Sequence, residues 1–535
     1  MSIHSVIPAP LQVTPLSSSV PVGALRSLTV SDVRFLPVAA RFREDLRLWA
    51  GVSLPAPEVT SVPPTGGIHV TRPHGNGVRS RTLSSKEAYG LSVTSEGVIV
   101  EAHDSEGLYR GLTSLIQLVG TAEGDLSQLK IVDKPALRWR GLSLDVARSF
   151  VSVEDIKRTI DVIALYKFNT LHLHLTDNEA WRLEIESWPL LTPPPSHGEA
   201  RQYYTKSEFS DIVSYAAERF VSVVPEIDMP GHSAAAIRAY PQLSSQGVAA
   251  ADEQFPVANM DGAPGFVSKF VRDVLSELAA MTPGQYLHIG GDEAFGMTPD
   301  DQADFVRSVV SVVKDLGKSA IGWQETCRAQ LGPAQVVQYW IDFADELAAR
   351  SNEPRAYAST SASEDASETA PGLAGETAAL LAESFLRAVG DKERINEQST
   401  DVILSPTRNA YLDRPYAESS ISIGQKNLGD RLGLPFYPPT HLQDYLEWNP
   451  VAAAQPINRE RILGIEAALW GETIHSPEDL EALLLPRLPG LAEVGWAEPG
   501  TAKWEHHRAR LSMHARLWNR FGWNWFQVDS IDWRV

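Results

Sequence analysis

YLHIGGDEAF, residues 286–295, reads as a short strand, Tyr286 to Ile289, broken by Gly290 and Gly291 and followed at once by two adjacent acids, Asp292 and Glu293. Two glycines let a backbone turn sharply without a Cβ penalty, so both carboxylates can project from the end of a buried strand into a cleft. An Asp-Glu pair by itself also suits an exposed helix start, where negative charge meets the dipole. The rest of the chain decides between the two.

On either side of this stretch, strand and helix patterns alternate. LSLDV (142–146) is followed by SVEDIKRTIDVIALYKF, in which Ser152 and Asp155 give a capping-box-like start and Val153, Ile156, Ile160 and Ile163 form one apolar stripe. NTLHLHL (169–175) precedes a helix expected near Ser207 to Arg219, VSVVPEI (221–227) one near Gly265 to Met281, and YLHIG one near Pro299 to Leu316. SAIGW (319–323), VVQYW (336–340), DVILS (401–405) and ILGIEAALW (462–470) bring the strand candidates to about eight. Such alternation predicts parallel strands joined by helical crossovers, and eight of them fit a closed (β/α)8 TIM barrel with its chemistry at the C-terminal strand ends. An open doubly wound sheet is the alternative.

Ahead of this region the pattern differs. GLSVTSEGVIVEA (90–102) is strand-like, and SEGLYRGLTSLIQLV (105–119) repeats Leu108, Leu112, Leu115, Ile116 and Val119 at helical spacing. Residues 1–135 are therefore expected to form a small α+β domain and 136–535 the barrel, with DKPALRW (133–139) as the joint, since Pro135 disfavours helix at Lys134. Residues of about 342–401 fit neither pattern. Their first half is rich in Ser, Ala, Glu and Thr, while GETAALLAESFLRAVGD (375–391) reads as helix, so the segment is either a lid or subunit contact or a solvated excursion.

At 535 residues and net charge -20, the chain has ample material for a large core and argues against nucleic acid or anionic membrane as partner. One cysteine, Cys327, excludes an internal disulfide, and neither a basic-apolar leader nor a long apolar span is visible, which together lean towards a cytoplasmic location. Of the 14 tryptophans most are expected to be packing residues, Trp518, Trp523 and Trp525 among them.

Further motifs stand at the other strand ends. RWRGLSLDVARSF holds Arg148, NTLHLHLTDNEAW holds His172, His174 and Asp177, and VVPEIDMPGHS holds Glu226, Asp228 and His232. AIGWQE carries Trp323, VVQYW Trp340, ILSPTRNAYLD Tyr411 and Asp413, and GIEAALWGET Trp470 and Glu472. From about Ala88 to Trp496, with one interruption, this ordered series resembles glycoside hydrolase family 20, the β-N-acetylhexosaminidases. The resemblance implies a retaining exo-enzyme that removes a terminal N-acetylglucosamine or N-acetylgalactosamine without cofactor or metal. Glu293 would be the acid, and the substrate's own 2-acetamido oxygen would attack, forming an oxazolinium oriented by Asp292. Repulsion from Asp292 would raise the pKa of Glu293. Asp177 and His232 match the supporting acid and histidine, Tyr411 the residue that orients the acetamido oxygen, Trp323, Trp340 and Trp470 the aromatic walls, and Arg148, Asp413 and Glu472 the hydroxyl binders. The family often has a second aspartate where this chain has Asn178, so a role needing charge there is open.

A rival class uses the same residues differently. His172 and His174 lie on one strand face and, with His232, Asp292 and Asp177, could form a metal-dependent hydrolase site. That reading leaves the tryptophans and the Asp-Glu pair without a task. A third class, a non-catalytic sugar-binding protein, would be signalled by loss of the acid, and Glu293 is present.

Overall fold

The structure, a computed structural model, describes residues 4–73, 85–198, 200–247, 259–343 and 382–535. Seven strands build the first sheet: β1 Gln12–Pro21, β2 Leu28–Val30, β3 Glu58–Val59, β4 Gly67–Thr71, β5 Tyr89–Thr94, β6 Gly97–Glu101 and β7 Asp125–Asp133, in the order β1-β7-β5-β6-β4-β2-β3. The helix Ser105–Thr121 crosses it and buries Leu108, Leu112, Leu115, Ile116 and Val119, the stripe read from spacing.

Eight parallel strands follow and close on themselves: β8 Trp139–Asp145, β9 Thr170–His174, β10 Ser222–Glu226, β11 Tyr286–His288, β12 Ser319–Trp323, β13 Gln335–Tyr339, β14 Asp401–Leu404 and β15 Ile462–Leu469, which returns to pair with β8. The TIM barrel expected from the alternation is the fold, and the open sheet is excluded. Ser152 caps the helix Val153–Leu165 by accepting the Asp155 N–H, and Ile156, Ile160 and Ile163 are fully buried. Trp518, Trp523 and Trp525 lie in the core.

The two sheets are docked through buried charge. Asp133, at the end of β7, accepts the Tyr89 hydroxyl at 2.6 Å, Lys167 Nζ at 3.2 Å and Trp496 Nε1 at 2.9 Å. Glu87 pairs with both Arg110 and Arg140. Ion pairs this deep are costly to break one-sidedly, which fixes the small domain against the barrel wall.

Inside the barrel the period of two sorts side chains into layers. Trp139, Val224, Ile321, Val336, Ile403 and Leu463 form an apolar plug at the N-terminal end. Above it sits a polar layer of His172, Glu226, His288, Gln338 and Glu466, each no more than 1% exposed. Room for it comes from a glycine: a Cβ on Gly141 of β8 would lie 2.0 Å from Glu466 Oε2.

Of the segment 342–401, residues 344–381 lie outside the described residues. Its later part is helical over 382–387 and Asp391–Glu397, and Phe385 packs edge-on against Trp340 at 5.9 Å.

Candidate active site

All eleven residues singled out from the sequence stand at or just beyond the C-terminal ends of strands, and every strand contributes. Arg148 follows β8, Asp177 β9, His232 β10, Asp292 and Glu293 β11, Trp340 β13, Tyr411 and Asp413 β14, and Trp470 and Glu472 β15, while Trp323 closes β12.

The turn GGDE is built by exclusion. Gly290 and Gly291 have φ of 67° and 98°, and a Cβ on Gly290 would fall 1.6 Å from Asp228 Oδ1. Gly291 N–H donates to that same oxygen at 3.1 Å, so Asp228 is what the turn wraps around. Glu293 itself has φ of 40° and His232 φ of 49°, strain that a side chain bears only where its surroundings hold it there. The two strained residues face each other, with His232 Nε2 3.4 Å from Glu293 Oε2 and 3.7 Å from Asp292 Oδ2.

His232 Nδ1 lies 3.1 Å from Asp177 Oδ1. Burial by itself would lower the imidazole pKa, but Asp177 and Asp292 carry it well above 6.5. Burial likewise opposes ionisation of Asp177, and Arg148 and His232 overcome it, holding this carboxyl well below the usual range. Asp292 goes the other way. Burial, with repulsion from Glu293 and Glu226, lifts it to about 6 against the attraction of His232, and its Oδ1 is buried without a hydrogen-bond partner.

Asn178, the departure from the family pattern, needs no charge for what it does. Its N–H donates to Asp177 Oδ1 at 2.5 Å and its Oδ1 accepts the Ala234 N–H at 3.2 Å, tying the Asp177 loop to the His232 loop.

Trp323, Trp340, Tyr411 and Trp470 form one aromatic cluster. Trp340 and Tyr411 stack nearly parallel at 6.5 Å and 12°, and Trp470 lies against Trp323 at 5.7 Å and Tyr411 at 6.0 Å. Each wall is pinned by its indole or its neighbours: Trp323 Nε1 donates to Glu226 at 2.8 Å and Trp340 Nε1 to Glu325 at 3.2 Å. The guanidinium of Arg148 sits 5.2 Å above Trp470 and spans Asp145 (3.0 Å), Asp177 (2.9 Å) and Glu472 (3.3 Å). Asp413 is fully buried with neither oxygen hydrogen-bonded, and burial with Glu472 nearby pushes its pKa well above 3.8. Burial raises Glu472 to about 7 against the pull of Arg148. Both carboxyls thus keep buried oxygens free to accept a hydrogen bond.

The histidines of HLHL have another occupation. His172 places its nitrogens 2.9 Å from Glu466 and 3.0 Å from Glu226, and His174 places its own 2.5 Å from Glu226 and 2.9 Å from Asp177. A carboxylate oxygen only accepts, so each contact favours a proton on the ring nitrogen that faces it, and, although burial opposes it, Glu226 and Glu466 lift His172 to about 9. Hydrogen bonding therefore accounts for both rings without calling on the metal of the rival reading. Sequence reasoning missed Glu466, Glu325, Asp145 and the supporting role of Glu226. The available signal was a carboxylate inside an otherwise apolar strand, as in VVPEI and GIEAALW.

Acid groups beside flat apolar walls and buried carboxyls with unpaired oxygens are what cleavage of a sugar acetal requires, and the class is that of the glycoside hydrolases. The family model for the glycosyl hydrolase family 20 catalytic domain matches residues 137–302 and 383–499, and that for domain 2 of the same family matches 4–134. A β-N-acetylhexosaminidase of Cellulomonas fimi is 35% identical over 458 residues, covering 84% of this chain and 82% of its own. Among solved structures, the family 20 β-N-acetylhexosaminidase from Streptomyces coelicolor A3(2) superposes with a TM-score of 0.80 at 31% identity over 99% of both chains. The Streptomyces plicatus N-acetyl-β-hexosaminidase in complex with Thio-NAglucal does so with a TM-score of 0.80 at 31% identity over 100% of this chain and 98% of that one. The chain belongs to glycoside hydrolase family 20 and is an enzyme of its β-N-acetylhexosaminidase type.

Proposed function

We propose that the protein is a retaining exo-β-N-acetylhexosaminidase that releases a terminal non-reducing N-acetylglucosamine or N-acetylgalactosamine through an oxazolinium. The observation that carries the reading is Asp292, a buried carboxyl with one free oxygen beside Glu293, close enough to Tyr411 of the aromatic cluster to act on its hydroxyl. A free acceptor there suits an acetamido N–H. The S. plicatus enzyme is solved with Thio-NAglucal and, as a mutant, with the product GlcNAc.

In this scheme Glu293 gives its proton to the leaving oxygen as the acetamido oxygen attacks the anomeric carbon. Asp292 accepts the acetamido N–H and stabilises the growing positive charge, and Tyr411 orients the acetamido oxygen. Water then opens the oxazolinium, its proton returning to Glu293, and two inversions leave the β configuration. Asp177 and His232 support the proton exchange of Glu293. Trp323 and Trp340 enclose the acetamido methyl, Trp470 lies beneath the ring, and Arg148, Asp413 and Glu472 take its hydroxyls and close the pocket to anything but a chain end.

The decisive assay is a panel of chromogenic β-glycosides with and without the 2-acetamido group, read together with the anomer first released by NMR. Acetamido substrates are expected to turn over with retained β configuration and undiminished by chelator. The scheme is falsified if 2-hydroxy glucosides are cleaved as fast, since no neighbouring group would then attack.

Trp470 gives a separate check. Trp470→Ala is expected to weaken product binding by about 1–3 kcal/mol, because one ring face is lost from the sugar. Only partly buried in the cluster, Trp470 is not a core residue, so the thermal midpoint should hold. A lowered midpoint with unchanged affinity would make it a packing residue.

A further inference from the structure

We propose that Asp228, His232 and Asp292 form an inhibitory site for a single borderline divalent cation of the Zn2+ type. One donor atom from each lies within 4.8 Å of the other two. Each of the three also carries a buried atom that makes no hydrogen bond: Asp228 Oδ2, His232 Nε2 and Asp292 Oδ1. Three unsatisfied donors on adjoining strand ends are unusual, because buried polar atoms are nearly always paired. Asp228 is the most constrained, 1% exposed, its N–H donating to Thr176 Oγ1 at 3.0 Å and its Oδ1 accepting from Gly291, so that Oδ2 is the oxygen left over.

The donor set is chemically selective. One imidazole and two carboxylates match the ligands of four-coordinate zinc, whereas Mg2+ and Ca2+ ask for six or more oxygens. Tetrahedral bonds of about 2 Å put ligands roughly 3.3 Å apart, so the three side chains need close in by only about an ångström or two. Glu293, 3.4 Å from His232 Nε2, or a water completes the shell. Asp177, 3.1 Å from His232 Nδ1, supplies the carboxylate that typically backs a metal-bound histidine, and the ion would take the place of the proton on Nε2.

Binding would release protons. The groups facing the site are Asp177, Glu293 and Asp292 around His232, and Glu226, His174 and Asp292 around Asp228, with Glu325 near Asp292. Each ligand must give up any proton it carries on the ligating atom as the ion enters. The ion would take the Asp292 oxygen that the proposed function reserves for the acetamido N–H. Inhibition competitive with substrate rests on that reading, but binding does not.

The test is titration calorimetry of chelator-treated protein with ZnCl2, paired with inhibition of chromogenic β-N-acetylhexosaminide hydrolysis, for the wild type and Asp228→Asn. Asn keeps the Oδ1 acceptor for Gly291 and removes the anionic Oδ2. One Zn2+ per chain is expected in the wild type, at least tenfold weaker in the variant in both readouts, with MgCl2 binding neither and Co2+ giving tetrahedral visible bands only in the wild type. Should Asp228→Asn fail to fold, His232→Ala is compared by calorimetry alone. Zn2+ binding equal in wild type and variants, or absent at millimolar ion, overturns the site. Variant-sensitive binding with inhibition that substrate does not relieve upholds the site and overturns the acetamido role of Asp292.

Discussion

Replacing Glu293 by Gln is expected to lower turnover of alkyl and sugar β-N-acetylhexosaminides by about 10²–10⁴-fold, the range that positioned proton transfer contributes. Gln preserves the shape that the strained backbone at φ 40° holds in place, and removes only the proton. Aryl leaving groups, which scarcely need protonation, should lose much less. Steady-state kinetics over leaving groups of graded acidity checks this, and equal losses across the series would remove Glu293 from the role of acid.

Asp292→Asn is the second severe lesion expected, about 10²–10³-fold in kcat, because a carboxylate aimed at developing positive charge becomes a neutral amide. Its pH signature is distinct. With Asp292 raised to about 6, and the carboxylate form needed to accept the N–H and face the oxazolinium, kcat/KM of the wild type should fall as pH drops through about 6. The acid limb should vanish in Asp292→Asn, which has no proton to gain. Persistence of the same limb in the variant would assign it to another group, such as His232, whose charge acts directly on Asp292.

The barrel was legible because its evidence is local and repeated. A buried parallel strand must be apolar over four or five residues, and its covering helix must carry a stripe at 3.6 spacing, so eight such pairs declare themselves in a single sequence. Helix limits moved by only a residue or two, from Ser207–Arg219 to Lys206–Ala217 and from Gly265–Met281 to Pro264–Met281. The residues of the site were legible for a related reason. In this fold function gathers where strands end, and each motif is a strand followed by the residues it delivers, as Ile289 is followed by Gly290, Gly291, Asp292 and Glu293.

Which of those residues meet, and in what protonation state, was not legible. Asp228 and Gly290 are 62 positions apart, yet a Cβ on one would strike the carboxyl of the other, and no spacing rule reports such a contact. His172 looked like half of a metal signature until Glu226 and Glu466, 54 and 294 residues away, were found against its two nitrogens. The sequence by itself determined the order of strands and the cargo at each end, because these follow from short-range hydrophobic periodicity. Only the tertiary structure decided that burial and neighbouring charge would raise Asp292, hold Asp177 ionised and leave three donor atoms unsatisfied between Asp228, His232 and Asp292, because those energies depend on distances across the barrel that closure alone creates.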